Sequence, residues 1–161
     1  MQGFLVENAK LINALKPKDI TGAAQNSGYI NMGRGKRCCF VIQGGTWAGG
    51  TPAVTITQAT DSSGTGAKAL SFSRCFTQND TTYTDKPTEV TGLSGSQALI
   101  AQASQMLIIE VHAQDLDLAN AFNWIRINVA SPGANADLLS CLAIVYDLPF
   151  AGKPATLPTA L

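Results

Sequence analysis

The sequence predicts an all-β fold: an antiparallel β-sandwich, jelly-roll-like or immunoglobulin-like, with a short N-terminal helix or arm and an extended C-terminal tail. Three observations carry this. Many short segments alternate apolar and polar residues with period two, as a half-buried strand requires. Glycine- and serine-rich turns separate them at short intervals. Only one stretch, Phe4–Leu15, offers a helical apolar stripe.

In that stretch Phe4, Val6, Leu11, Ile12 and Leu15 form the stripe and Pro17 ends it, so a helix or arm is expected there. Pro17–Gly28 is polar, small and turn-rich, an extended connection into a strand at Tyr29–Met32. Gly33–Arg37 is a basic turn before a strand at Cys38–Gln43, and Gly45–Gly50 joins that strand to Ala53–Gln58. Asp61–Gly66 is a second tight connection, leading to a strand over Leu70–Thr77 in which Leu70, Phe72 and Phe76 share a face with Arg74. A polar loop, Gln78–Pro87, and short strands at Glu89–Leu93 and Ala98–Ala101 follow.

The organising stretch is Met106–Val129, read as a strand pair around the loop Gln114–Ala121. Leu107, Ile109, Val111, Ile125, Ile127 and Val129 lie at period two on one face, and Glu110, His112, Trp124, Arg126 and Asn128 on the other. The Pro-Gly turn in Ser131–Asn135 then reverses the chain. Leu138–Tyr146 is apolar on both faces, which predicts a central strand covered on both sides. From Pro149 three prolines predict an extended arm. The expected organisation is an N-terminal helix or arm with its connection over 1–28, a sandwich over 29–148 and a C-terminal arm over 149–161.

The length of 161 residues suits one domain. Charged residues make up 14 %, well below the usual quarter, which points to a surface covered by neighbours. Net charge is zero but polarised: residues 1–40 hold six basic against two acidic groups, and the remainder five against nine. Such polarity can orient a subunit against a partner. No apolar run is long enough to span a membrane, and the start lacks the basic region of a secretory signal, so folding in a cytoplasm is expected.

No catalytic set is apparent, and neither a cofactor nor a metal is expected. His112 is the single histidine, beside Glu110 but with no nucleophile, and reads as an interface residue. Asp115, Asp117 and Asn120 could offer oxygen ligands to calcium, yet they lack the glycine and closing glutamate of a calcium loop and read as turn chemistry. Cys38, Cys39, Cys75 and Cys141 lack metal-ligand spacing and read as buried free thiols. Arg34, Lys36 and Arg37 are too few for nucleic acid and suit a protein partner. Trp47, set among glycines, and Trp124 with Arg126 suit either a sugar ring or a protein interface. The candidate interface residues are therefore Phe4, Leu5, Arg34, Lys36, Arg37, Trp47, Trp124 and Arg126.

Several phrases add a resemblance: Ala9–Pro17, Asp19–Ala24, Val41–Gly50, Gln58–Ala69 and Ser131–Asn135. Together they resemble small virion proteins encoded among the head genes of tailed bacteriophages. The resemblance implies a capsid decoration (cement) protein, one that sits outside the shell, clamps the major capsid protein and commonly forms trimers on local threefold axes. It implies no catalytic residues, and so no enzyme. The rival readings are a head–tail or tail-associated virion protein and a carbohydrate-binding module.

Overall fold

The computed structural model describes residues 5–78, 86–91, 93, 96–98 and 103–148. A single-turn helix, α1 (Leu5–Asn8), precedes twelve strands: β1 (Lys10–Asp19), β2 (Gln25–Asn26), β3 (Ile30–Asn31), β4 (Arg37–Trp47), β5 (Ala53–Ala59), β6 (Lys68–Leu70), β7 (Arg74–Gln78), β8 (Thr88–Glu89), β9 (Ser96–Ala98), β10 (Met106–His112), β11 (Trp124–Val129) and β12 (Asp137–Tyr146). The first sheet runs β1-β12-β4-β10-β7-β8 and the second β2-β11-β5-β6, with β3 also on β11 and β9 also on β5. Every pairing is antiparallel.

The pairing is nested: β1 with β12, β2 with β11, β4 with β10, β5 with β6. A long hairpin rolled into two sheets in this way is a jelly roll, with β7 and β8 extending the first sheet. Between the sheets lies one core. Cys38, Phe40, Ile42, Leu107, Ile109, Val111, Leu139, Cys141, Ala143 and Val145 meet Val54, Ile56, Ile125, Ile127 and Val129 from the opposite side. Each large apolar side chain withdrawn from water there contributes about 1.5–3 kcal/mol.

Five expectations are corrected. The helix expected over Phe4–Leu15 is confined to Leu5–Asn8, and from Lys10 the chain is the edge strand β1. Pairing with β12 satisfies its backbone, and a register shift between Asn13 and Leu15 turns Leu15 into the core. Pro17 is tolerated because β1 lies at the sheet edge. The connection expected after it supplies β2, so residues within 1–28 enter both sheets. The arm expected over 149–161 lies outside the described residues.

The strand pair in Met106–Val129 does not exist as a pair: β10 belongs to the first sheet and β11 to the second. The stretch between them carries two 3-10 turns, Ala113–Asp115 and Leu118–Asn120, and crosses from sheet to sheet. Their apolar residues do share the core, but from opposite walls. Leu70–Thr77 likewise divides into β6 in the second sheet and β7 in the first, with Phe72 buried at the crossing. Finally, β12 is internal to its sheet but covered on one side only, for Leu138 and Leu142 are exposed.

Candidate interaction surface

Because side chains alternate across a strand, each sheet turns a second face outward. On the first sheet, one cross-strand row reads Leu11, Ile144, Cys39, Glu110, Arg74; the next reads Asn13, Leu142, Val41, Ile108, Phe76, Glu89. Over β1, β12 and β4 these rows are apolar or neutral, and the charges lie toward β10, β7 and β8. Leu11, Leu138 and Leu142 are 42 %, 43 % and 38 % exposed, unusual for leucine on a strand facing nothing. A cleft of about 400 Å³ opens at the Leu138 end, lined by Pro17, Gly44, Gly45, Met106 and Leu138 among others. The Tyr146 hydroxyl reaches across β4 and donates to the Glu110 carboxylate.

The outward face of the second sheet is polar. Arg126 pairs with Thr57 and Asn128 with Thr55 across β11 and β5. The Asn128 amide donates to Thr57 Oγ1 at 2.7 Å. The Arg126 guanidinium stacks 4.9 Å from the centre of the Tyr29 ring, a cation–π contact. Tyr29 in turn lies against Gly64, whose positive φ and missing side chain leave room for the ring.

The candidate residues therefore do not converge. Phe4 lies outside the described residues, and Leu5 is exposed on α1. Trp124 and Arg126 are half-buried on the outside of the second sheet, whereas Glu110 and His112 are outside the first. Trp47 is the last residue of β4, not a loop tip: it packs against the core and its indole N–H donates to the Gly50 carbonyl at 3.1 Å. The connection beyond it is held by Asp137, fully buried, whose Oδ1 accepts the Ala48 and Gly49 N–H groups at 2.7 and 3.3 Å.

Arg34, Lys36 and Arg37 are exposed at one end of the first sheet. Lys36, Arg37, His112, Gln114 and Asp147 line a cleft of about 330 Å³, where Arg37 Nε meets the Asp147 carboxylate at 3.2 Å. Asp117 is occupied by Lys68 at 2.5 Å and by the Asn120 amide at 2.9 Å, and these contacts, Lys68 first, hold its carboxyl below the usual range. Among the described residues no three His, Cys, Asp or Glu side chains gather as metal ligands. All four thiols are free; burial pushes Cys39 and Cys75 up to about 11 and Cys141 to about 12, and raises Cys38 well above its ordinary value.

The apolar outward face escaped the sequence reading. Its signal was present, in that Leu138–Tyr146 is apolar on both sides, but the pattern cannot say whether the second side is covered by the same chain or by another.

No family model matches the chain, and no curated protein does. Among solved structures it is similar to the SPBc2 prophage-derived protein YomS, at 8 % identity over 84 % of this chain and 93 % of that one, with a TM-score of 0.44. It is also similar to Bacillus endospore appendages that form disulfide-linked pili, at 12 % identity over 88 % and 89 %, TM-score 0.39. A third is the infectious bursal disease virus Gt strain structure, at 12 % identity over 86 % and 41 %, TM-score 0.26. These likenesses carry no functional weight. Among the described residues no helix is long and apolar enough to cross a membrane.

Proposed function

We propose that the protein is a structural component of a phage virion, a capsid decoration (cement) protein, and not an enzyme. The observation that carries this reading is the outward face of the first sheet over β1, β12 and β4, apolar through its middle (Leu11, Leu142, Ile144, Val41) with charges only toward its ends, at Asp19 and Arg37, in a chain with only 14 % charged residues. Such a surface costs free energy in water and is matched by a neighbouring subunit. The phrases resembling tailed-phage head proteins give the class of neighbour. Exposed Arg34 and Lys36, with Arg37, make a basic end suited to an acidic patch on the major capsid protein, and steering by charge would set orientation there. The protein then acts on the capsid surface as a homo-oligomer, with the threefold trimer as the arrangement the resemblance implies.

The test is the position and copy number of the protein in an electron-microscopy map of the particle. The expected result is density on the outer shell in fixed ratio to the major capsid protein, lost when Arg34 and Lys36 are both changed to Glu. Density confined to the tail would replace this reading with a tail-associated one. A second reading, carbohydrate binding, draws on half-buried Trp124 beside Arg126 on the polar face; glycan-array binding abolished by Trp124→Ala would support it.

A further inference from the structure

The basic end invoked above lies where β4 meets Tyr146; a second basic feature lies at the opposite end of the first sheet. There β1 is the free edge of that sheet and β2 the free edge of the other, joined by the short connection 20–24. A slit of about 220 Å³ opens between the two edges. Its floor is Leu15, Ile20 and Leu139, all part of the core, and its rim is Lys16, Lys18 and Gln25. Between Leu15 and Lys18 two residues of β1 stand against one of β12, a bulge. It leaves Leu15 in the core and both exposed lysines at the mouth of the slit. We infer that the slit is a docking site for an extended segment of the partner protein that carries a carboxylate next to an apolar side chain. The inference rests on the proposed function for the partner's identity, the major capsid protein, and deepens it by naming a contact.

Charge selects the carboxylate. Among the described residues neither Lys16 nor Lys18 meets an acidic side chain, for the two ion pairs are Arg37 with Asp147 and Lys68 with Asp117. The neighbouring acid, Asp19, is tied to its own turn, where Oδ1 accepts the Thr21 N–H at 2.9 Å and the Thr21 hydroxyl at 2.5 Å. Residues 1–40 carry six basic against two acidic groups, which draws an acidic segment to this region. The floor selects the apolar neighbour: a bare anion would fill the mouth and leave Leu15, Ile20 and Leu139 facing a wet cavity. A wholly apolar segment would leave two cations unmatched, and nucleic acid needs more phosphate contacts than two lysines give. Strand addition along this stretch is disfavoured, because Pro17 has no N–H to donate and lysines flank it. The segment therefore lies across the slit instead of extending the sheet. The two basic features flank the apolar outward face, so one partner covering that face borders both.

Titration of the full chain with the capped peptide acetyl-Leu-Glu-Leu-amide, followed by NMR, tests the chemistry of the slit. The expected result is shifts centred on the Leu15, Ile20 and Leu139 methyl groups, with binding that weakens as salt rises. Affinity should fall at least fivefold when Gln replaces Glu in the peptide, and equally in the double variant Lys16→Gln, Lys18→Gln. Both lysines are exposed, so thermal unfolding of that variant should be unchanged and shows that the fold is kept. Shifts centred elsewhere, or a response indifferent to the Glu or to the lysines, would overturn the inference. So would binding of octanoate but not of the peptide, which assigns the slit to a free amphiphile. Capsid binding by the same proteins separates the two claims. The double variant should bind capsids at least tenfold more weakly. A protein that joins capsids with or without the two lysines ends the inference and spares the function. One that takes the peptide in the slit and never joins capsids keeps the site and ends the function.

Discussion

The outward faces of the two sheets come from the same kind of strand and face the same water, yet they are built differently. On the second sheet the outward positions of β5 and β11 are Thr55, Thr57, Arg126 and Asn128, tied to one another by side-chain hydrogen bonds and by the Tyr29 ring. On the first, the middle of the face over β1, β12 and β4 is Leu11, Leu142, Ile144 and Val41, and the polar contacts, such as Tyr146 with Glu110, lie toward its margins. The inward faces are equally apolar, so folding does not require the difference. A polar outward face is finished when the chain folds; an apolar one is finished by something else.

The comparison can be broken at several points. The largest effect is expected where the sheets meet. Phe40→Ala, in a fully buried central position of β4, should cost about 3–5 kcal/mol in denaturant unfolding. A loss below about 1 kcal/mol would mean that the two inward faces do not share one packed core. Next, Gly64→Ala should disturb the polar face. Its φ is +88° and an added Cβ would lie 2.7 Å from the Tyr29 ring, so about 1–3 kcal/mol and the Arg126 stacking should be lost together. Arg126 and Tyr29 ring resonances unchanged by the substitution would show that the stack does not depend on the turn.

Exchanging the outward character tests the contrast itself. Leu142→Thr should leave stability within about 0.5 kcal/mol, whereas Thr57→Leu, which removes the acceptor of the Asn128 amide, should cost about 1 kcal/mol. Solubility should move in opposite directions, up for the first and down for the second. Salting-out curves read this, and shifts of the same sign would remove the distinction between the faces. A smaller effect concerns the crossing between sheets. Asp117 has a folded-state pKa held below the unfolded one by Lys68 and Asn120, so its contribution is present above the unfolded pKa and fades as pH falls through the folded value, below about 4. Asp117→Asn should flatten that part of the stability–pH curve, and an unaltered slope would show that other carboxylates govern it. The smallest effect is chemical. With Cys39 and Cys75 raised to about 11 and Cys141 to about 12, the folded protein should resist thiol reagents near neutral pH and release four reactive thiols on unfolding. Fast labelling of Cys39 in the native state would show that the apolar face leaves it open.

Period-two alternation was enough to place β5, β10 and β11, because each has a full run of alternating residues with one side in the core, while β12 was legible as an apolar run whose covered side was not. It could not say which wall of the sandwich a strand joins. The alternation of Leu107, Ile109 and Val111 is the same whether they face Ile125 from beside it or from across the core, and only the 3-10 turns between them decide. The N-terminal segment was misread for a related reason. Its apolar residues fit neither period well, and the choice of strand is made by β12, more than a hundred residues away, together with the register shift before Leu15. The dispersal of Trp47, Trp124, Arg37 and Glu110 follows from the same gap, since a residue's face is local information and its sheet is not.

The nested pairing also sets an order in time. β1 has one ladder partner, and that partner is β12, which must itself lie between β1 and β4. While the chain is being made, its first strand therefore waits for its last. Until β12 is synthesised, β4 lacks one neighbour, Leu11 and Ile12 have no ladder, and the first sheet stays open down its middle. Closing so long a loop is slow, which makes the interval before closure the period in which the nascent chain is most open to wrong partners.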